Sequence, residues 1–255
     1  MIEKMRLDDW LVANGLLPNK SQAKSLIMAG KVFVNGQRVD KAGTPTRLDA
    51  EVEIMGMPSQ YVSRGGYKLA GALDRFSALS LAGRIALDIG ASTGGFTDCL
   101  LQRGVAKVYA LDVGYGQLAW KLRTDERVIN IERTNFRYIE PGFFADPIDL
   151  VVADLSFISL EKILEPLKGH LGTHADCVLL IKPQFEVGKG QVGSGGVVRD
   201  IKVRAEAIER VIETAKGLGY CFVDGADSTL PGPKGNVEYL VWLSYDRESQ
   251  IMTDA

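Results

Sequence analysis

The chain has 255 residues, enough for one large domain or for a large and a small one, and 46% hydrophobic content supports a packed core. A net charge of −2 excludes a chain that is basic throughout, so any nucleic-acid surface has to be local. No apolar run reaches the ~20 residues of a membrane helix, and Met1 to Arg6 lead into a polar amphipathic stretch, not a signal-peptide core. Cys99, Cys177 and Cys221 lie far apart in apolar settings with no Cys-x-x-Cys, which excludes a disulfide framework or a zinc ribbon. The expectation is a soluble, reduced, cytoplasmic protein.

In chain order, residues 6–16 place Leu7, Trp10, Leu11 and Leu16 on one face of a short helix, with Asp8 and Asp9 in its first turn. Gly15 and Pro18 end it. Ser21 is the expected cap of a second helix through Ala23, Leu26, Ile27 and Met28, stopped by Gly30. Val32 to Val39 read as a hairpin around Asn35-Gly36, and Val52 and Ile54 alternate in a further strand. Lys20, Lys24, Lys31 and Arg38 cluster around the second helix and the hairpin. Through residue 60 there are 8 basic and 7 acidic residues, so an RNA-binding argument rests on placement, not total charge. An ordinary solvated helix face would carry similar residues.

The order Arg6-Leu7-Asp8, Gly15-Leu16, Ser21-Gln22-Ala23-Lys24, Ile27, Gly30-Lys31-Val32 and Val34-Asn35-Gly36 resembles the alpha-L RNA-binding module. That module occurs in a small-subunit ribosomal protein, pseudouridine synthases and tyrosyl-tRNA synthetases. The resemblance implies that the second helix and adjoining loop face structured RNA. Many members carry Ser-Arg where this chain has Asn19-Lys20, which keeps the charge and loses the planar fork.

Gly56 to Gln60 are a breaker-rich linker. The expected division is an RNA-binding domain over 1–56, a linker over 57–64, a second domain over 65–246 and a mobile tail over 247–255. A helix through Leu69, Leu73 and Phe76 opens the second domain. Strands are then expected at 85–89, 107–112, 127–131, 148–154, 177–182, 220–224 and 237–244. Helices are expected at 94–103, 115–122, 159–169 and 200–216, the last capped by Asp200 with Ile201, Ala205, Ile208, Ile212 and Ala215 inward. The alternation predicts an α/β fold with a mostly parallel sheet covered on both faces. The final connection, through Leu230 to Asn236, holds no helical pattern, so the last strand is expected to run antiparallel.

The strand at 85–89 ends in Asp88-Ile89-Gly90-Ala91-Ser92-Thr93-Gly94-Gly95-Phe96-Thr97, a strand–glycine turn–helix unit of the kind that cradles nucleotides. Asp112, at the end of the next strand, offers a carboxylate to two ribose hydroxyls. The pair looks like the S-adenosylmethionine site of Rossmann-like methyltransferases, and another nucleotide-binding or purely structural turn fits the same letters. The candidate cofactor contacts are Asp88, Gly90, Ala91, Ser92, Gly94, Gly95, Phe96 and Asp112.

Ligands of open α/β sheets sit at the carboxyl ends of the strands. Asp154 and Lys182 follow two such ends, Glu238 opens the last strand, and Lys68 opens the helix before the sheet. Two lysines and two carboxylates are thus expected beside the cofactor. A ribose hydroxyl is a poor nucleophile and needs a base and a positive environment. A lysine acts as base where desolvation or a second cation favours its neutral form.

The spacing of Lys68, Asp154, Lys182 and Glu238 matches the Lys-Asp-Lys-Glu tetrad of ribose 2′-O-methyltransferases related to FtsJ. With the N-terminal module, and with Arg64-Gly65-Gly66-Tyr67-Lys68-Leu69, Lys182-Pro183-Gln184-Phe185-Glu186 and Gly195-Gly196-Val197-Val198-Arg199-Asp200, the whole chain resembles the TlyA/hemolysin-A family. The resemblance implies S-adenosylmethionine-dependent cytidine 2′-O-methylation of ribosomal RNA, free or in subunits. Lys182 would be the base, Asp154 its orienting group, and Lys68 and Glu238 would position the ribose. Arg6, Lys20, Lys24, Lys31, Arg38 and Arg64 are the expected RNA contacts.

Neither a metal nor a membrane is called for. Asp154-Leu155-Ser156-Phe157 is not the Asn/Asp-Pro-Pro-Tyr of base-amine methylases, and no cysteine nucleophile follows that strand. His170 and His174 are expected at the surface. The residues around Gly193, Gly195 and Gly196 read as a flap or a long loop, and Phe157 and Phe185 as packing or base-stacking side chains. A non-catalytic RNA-binding assembly factor is the alternative, against which the intact tetrad argues. A membrane-lytic protein and an NAD-dependent enzyme are disfavoured.

Overall fold

A computed structural model describes residues 4–248, apart from 15, 49, 51, 57–59, 194 and 233. The expected linker thus lies partly outside the described residues, and the expected tail almost wholly so.

In the N-terminal unit, β1 (Lys4–Arg6) leads into α1 (Leu7–Ala13), followed by α2 (Lys20–Met28). The cap of α2 is Asn19, not Ser21: its side chain accepts the Gln22 N–H at 3.0 Å while its own backbone is extended. Next come β2 (Val32–Val34), β3 (Gln37–Val39), β4 (Pro45–Arg47) and β5 (Val52–Ile54). Asn35 and Gly36 both have positive φ, as a type I′ hairpin turn requires. Strand β2 is central between β3 and β5, and β1 pairs antiparallel with β4. That second pairing was not expected, because three residues carry too little alternation to show in a sequence. Leu7, Trp10, Leu11, Ala23, Ile27 and Val32 close a small core of their own.

The second unit runs α3 (Arg64–Arg75), β6 (Ile85–Ile89), α4 (Gly95–Gln102), β7 (Lys107–Leu111), α5 (Trp120–Arg123), β8 (Val128–Ile131), β9 (Ile148–Ala153), α6 (Glu161–Lys168), β10 (Leu171–Ile181), α7 (Pro183–Glu186), α8 (Ile201–Gly217), β11 (Cys221–Asp227) and β12 (Tyr239–Asp246). Among the described residues these strands form a 7-stranded sheet ordered β11-β12-β10-β9-β6-β7-β8. β12 is antiparallel to both β10 and β11, and the β6–β7, β6–β9, β7–β8 and β9–β10 pairs are parallel, as expected. Each strand splits its side chains between two cores. Ala86, Val108, Val152 and Leu180 face α3 and α4, while Leu87, Tyr109, Val151 and Leu179 face α6 and α8.

Several expectations change. The helix expected at 115–122 shrinks to Trp120–Arg123, because side chains claim the N–H groups ahead of it. Gly114 donates to Asp112 and Gly116 to Glu132. Strand β10 starts six residues early, where Leu171 pairs with Ile148 across a register shift. Asp200 caps α8 as expected, but Ile201 is 80% exposed and Ala205 also faces out, and Ala207 and Val211 fill the buried face with Ile208 and Ala215. Cys221 is exposed on an edge strand, not in an apolar setting. His170 is buried at 8% exposure between Phe136 and Phe144, and burial lowers its pKa. His174 is exposed, beside Asp246.

Candidate active site

The sheet reverses its winding at β6, which has β9 on one side and β7 on the other, and this is where an open α/β sheet leaves a crevice. The turn after β6 closes tightly. Gly90 (φ +84°) and Ala91 both donate to the Leu111 carbonyl, at 2.8 and 3.0 Å. A Cβ on Gly90 would stand 2.9 Å from the Asp154 carbonyl oxygen, and one on Gly95 would stand 2.3 Å from Ser63 Oγ. Glycine is required here because three backbone segments converge on one point.

Asp88 lies beneath the turn with no exposed surface. Its Oδ2 accepts the Thr97 N–H at 3.0 Å and the Thr97 hydroxyl at 2.7 Å, while its Oδ1 is buried without a hydrogen-bond partner. Burial pushes its pKa up to about 7, with Asp154 adding to the rise and Thr97 opposing it. Asp112 accepts the Ser92 N–H at 2.9 Å and the Gly114 N–H at 2.6 Å, so each oxygen keeps further acceptor capacity.

A cavity of about 170 Å³ opens above this turn. Of the expected cofactor contacts, Asp88, Gly90, Ala91, Ser92, Gly95 and Phe96 line it, and Gly94 and Asp112 do not. Gly94 caps α4 at φ +93°, with Leu118 and Leu122 packed where its Cβ would be. Four lining residues were not among the expected contacts: Ser63, Gly65, Thr93 and Ser156. Their common signal is place, since each flanks a helix start or a strand end.

Asp154 and Lys182 complete the lining. Lys182 Nζ stands 2.6 Å from Asp154 Oδ1 and donates to Ser156 Oγ at 2.8 Å. Lys68 and Glu238 form a second pair, 2.5 Å from Nζ to Oε2, with both side chains buried. The expected four-residue group is therefore two ion pairs. One faces the cavity. The other sits one helical turn from Gly65, and its Glu238 carboxylate presses against Gly232.

The register explains the convergence. Ile89 is level with Leu111 and Ala153, Ala153 with Leu179, and Ile181 with Tyr239. Asp154, Lys182 and Glu238 each lie one residue beyond a paired strand end on the same edge. Asp154 is held there by its N–H to the Ile89 carbonyl at 3.2 Å.

The expected RNA contacts divide into three groups. Arg6 binds Asp8 through two nitrogens, each at 2.9 Å, and Lys20 pairs with Asp9. Lys24 acts on Asp8 through space, and Arg6 is the main cause of the lowered Asp8 pKa. Lys31 is exposed, and the Arg38 guanidinium lies over Gly30. Arg64 is committed elsewhere. It donates to the Leu48 and Pro231 carbonyls, both at 2.9 Å, and stacks 5.7 Å from the Trp10 ring, so it joins the two units instead of facing solvent.

The chain resembles known proteins over most of its length. Residues 61–245 match the FtsJ-like methyltransferase family, and residues 5–52 match the S4 domain. TlyA of Mycobacterium tuberculosis, described as a 16S/23S rRNA (cytidine-2′-O)-methyltransferase, is 51% identical over 244 residues, covering 95% of this chain and 91% of that protein. YqxC of Bacillus subtilis is 47% identical over 249 residues, covering 97% and 88%. A solved structure carried under the name hemolysin, from Streptococcus thermophilus, superposes with a TM-score of 0.76 at 42% identity, covering 97% of this chain and 90% of that one.

Proposed function

The chain belongs to the FtsJ-like methyltransferases that carry an S4 domain, and we propose that it methylates the ribose 2′-hydroxyl of a cytidine in ribosomal RNA, using S-adenosylmethionine. The observation that carries this is the Lys182–Asp154 pair on the wall of the cavity that the glycine turn shapes. A second support is the curated role of the relative at 51% identity.

The residues around the cavity suit the cofactor. The unpartnered Asp88 Oδ1 suits a cationic amino acid moiety, and the cradle at Gly90 and Gly95 admits backbone-close contact. Asp112 lies outside the lining but accepts from Ser92, which is in it, and its spare acceptor capacity suits a ribose diol. When bound, S-adenosylmethionine supplies an electrophilic sulfonium methyl.

The chain's own residues do the rest. Lys182 takes the proton of the 2′-hydroxyl, and Asp154 balances the charge of the resulting ammonium. Lys68 and Glu238, both buried, hold the start of α3 against the loop before β12 and set the field at the ribose. Phe157 is 91% exposed and lies 5.1 Å from Phe185, beside Lys182, where a base can stack. On this reading residues 1–56 bind RNA, 57–64 link the domains and 65–246 catalyse. The substrate is ribosomal RNA or a ribosomal subunit, which puts the enzyme in the cytoplasm.

The test is methyl transfer from labelled S-adenosylmethionine to ribosomal RNA and subunits by the wild type and by Lys182→Ala, with the product nucleotide mapped. Label on a 2′-oxygen, lost in the variant with cofactor and RNA binding retained, is expected. Label on a base overturns the role of the lysine. No transfer to any ribosomal substrate, despite cofactor binding, favours the non-catalytic assembly factor.

A further inference from the structure

Asp154 gives Lys182 a counter-charge, but it does not give it direction. Although the two atoms are 2.6 Å apart, Asp154 Oδ1 has no partner at hydrogen-bonding angles. The aligned acceptor of Lys182 Nζ is Ser156 Oγ, at 2.8 Å. Ser156 also lines the cavity.

The serine is held in place from both sides. Phe157, the next residue, takes φ +66°, a left-handed conformation that turns the chain sharply and that non-glycine residues rarely adopt. Its ring packs on Phe185, in α7 directly after Lys182. Three residues on, the Leu160 N–H donates to the buried Glu186 carboxylate at 2.9 Å. The loop after β9 is thus clamped twice to the segment that carries Lys182, and Ser156 lies between Asp154 and the clamps.

A base that cycles its proton needs a partner that tolerates both states. A carboxylate favours the ammonium strongly. A hydroxyl accepts an N–H from ammonium and amine alike, so its contact survives deprotonation. One aligned contact on a tetrahedral nitrogen also leaves its other directions free for a substrate proton.

We propose that Ser156 is a positioning residue that aims Lys182 Nζ into the cavity in both of its protonation states. This rests on the reading of Lys182 as the base. Ser156→Ala is expected to lower kcat about 100-fold, the scale of a reacting group misplaced by about 1 Å. The KM for RNA and the Kd for S-adenosylmethionine are expected to stay within about twofold, because the serine acts through Lys182 and not on binding. Ser156→Thr is expected to restore most of the rate, since the position is exposed and has room for a methyl. Wild-type kcat in Ser156→Ala, a loss carried by KM, or a threonine variant as slow as the alanine one overturns the proposal.

A crystal structure of Ser156→Ala separates this from the parent reading. Displacement of Nζ from its wild-type place is expected, and an unmoved Nζ overturns the proposal whichever substrate is methylated. A wild type that transfers no methyl would instead overturn the base role itself.

Discussion

Asp88→Asn separates what the buried carboxyl does to the fold from what it does for the cofactor. Asparagine can keep both Thr97 contacts through its carbonyl oxygen, which turns its NH2 group to where Oδ1 stands unpartnered. In the wild type without cofactor, burial raises the carboxyl from the usual 3.8 to about 7. The folded state therefore binds this proton more tightly than the unfolded state does. The Asp88 contribution is most favourable below pH 4, falls as the pH rises from about 4 to about 7, and is fully lost above that. At about 1.4 kcal/mol per pH unit the interval sets a ceiling of about 4 kcal/mol. That is about 10 °C in Tm for a domain of this size.

Other carboxylates, Asp8 and Asp146 among them, are held low by basic partners and lose stability in acid, so the quantity to read is the difference between variant and wild type. Melting curves from pH 5 to 8 are expected to diverge, with Asp88→Asn increasingly the more stable as the pH rises. With S-adenosylmethionine present the order reverses at pH 8. A cationic ligand favours the ionised aspartate, and the amide instead aims a donor at it, so the cofactor Kd is expected to rise by about tenfold or more. Parallel melting curves would refute the buried-carboxyl argument. Unchanged cofactor affinity would refute the assignment of Oδ1 to the cofactor's cation.

Gly94→Ala is expected to cost about 2–4 kcal/mol, because the new Cβ would stand 2.2 Å from Leu122 Cδ1 at a φ of +93°. Chemical denaturation checks this, and a cost below about 1 kcal/mol would mean the turn is not tightly packed. Arg64→Met is expected to lower stability by about 2–3 kcal/mol by stranding the Leu48 and Pro231 carbonyls, with cofactor affinity unchanged. Equal stability would show that this guanidinium does not join the two units. Lys20→Glu with Lys24→Glu is expected to weaken binding to ribosomal RNA and to flatten the log–log salt dependence by about 1.5–2, and an unchanged slope would remove α2 from the phosphate surface.

What could be read from the letters followed the strength of the local signal. The glycine turn was legible because its glycines sit at positive φ or where backbone segments meet. The sheet was legible because buried parallel strands are continuous apolar runs, and Asn35-Gly36 admits few turns other than a tight hairpin. The capping of α2 by Asn19, the truncated α5 and the turned face of α8 were not legible, because each depends on a competing side chain or on a neighbouring layer that one segment does not reveal. Arg64 was expected to contact RNA because a basic residue beside a glycine pair carries no trace of the carbonyls it will meet 16 and 167 residues away. Ser156 was passed over for a similar reason. Nothing in Asp-Leu-Ser-Phe says that the serine, and not the aspartate, makes the aligned hydrogen bond to Lys182.

The site depends most on one topological fact, the direction of β12. Glu238 precedes this strand and Lys182 follows β10, so the two share an edge only because the strands run in opposite directions, with Tyr239 beside Ile181. β12 has 8 residues, and at about 3.3 Å per residue a parallel β12 would place Glu238 about 26 Å away, at the far edge of the sheet. Lys68 would then be a buried ammonium without its carboxylate, a state costly enough to reorganise the start of α3. The antiparallel strand therefore supplies one carboxylate to the cavity edge and, through it, permits a lysine to be buried one turn from Gly65 in the cavity wall. The loop of Leu230 to Asn236, short on pattern and rich in turn residues, is what allows that reversal. Its Gly232 lies against the Glu238 carboxylate, where a Cβ would stand 2.4 Å from Oε1. The same loop takes the Arg64 hydrogen bond at Pro231, so the reversal that completes the site also ties it to the N-terminal unit.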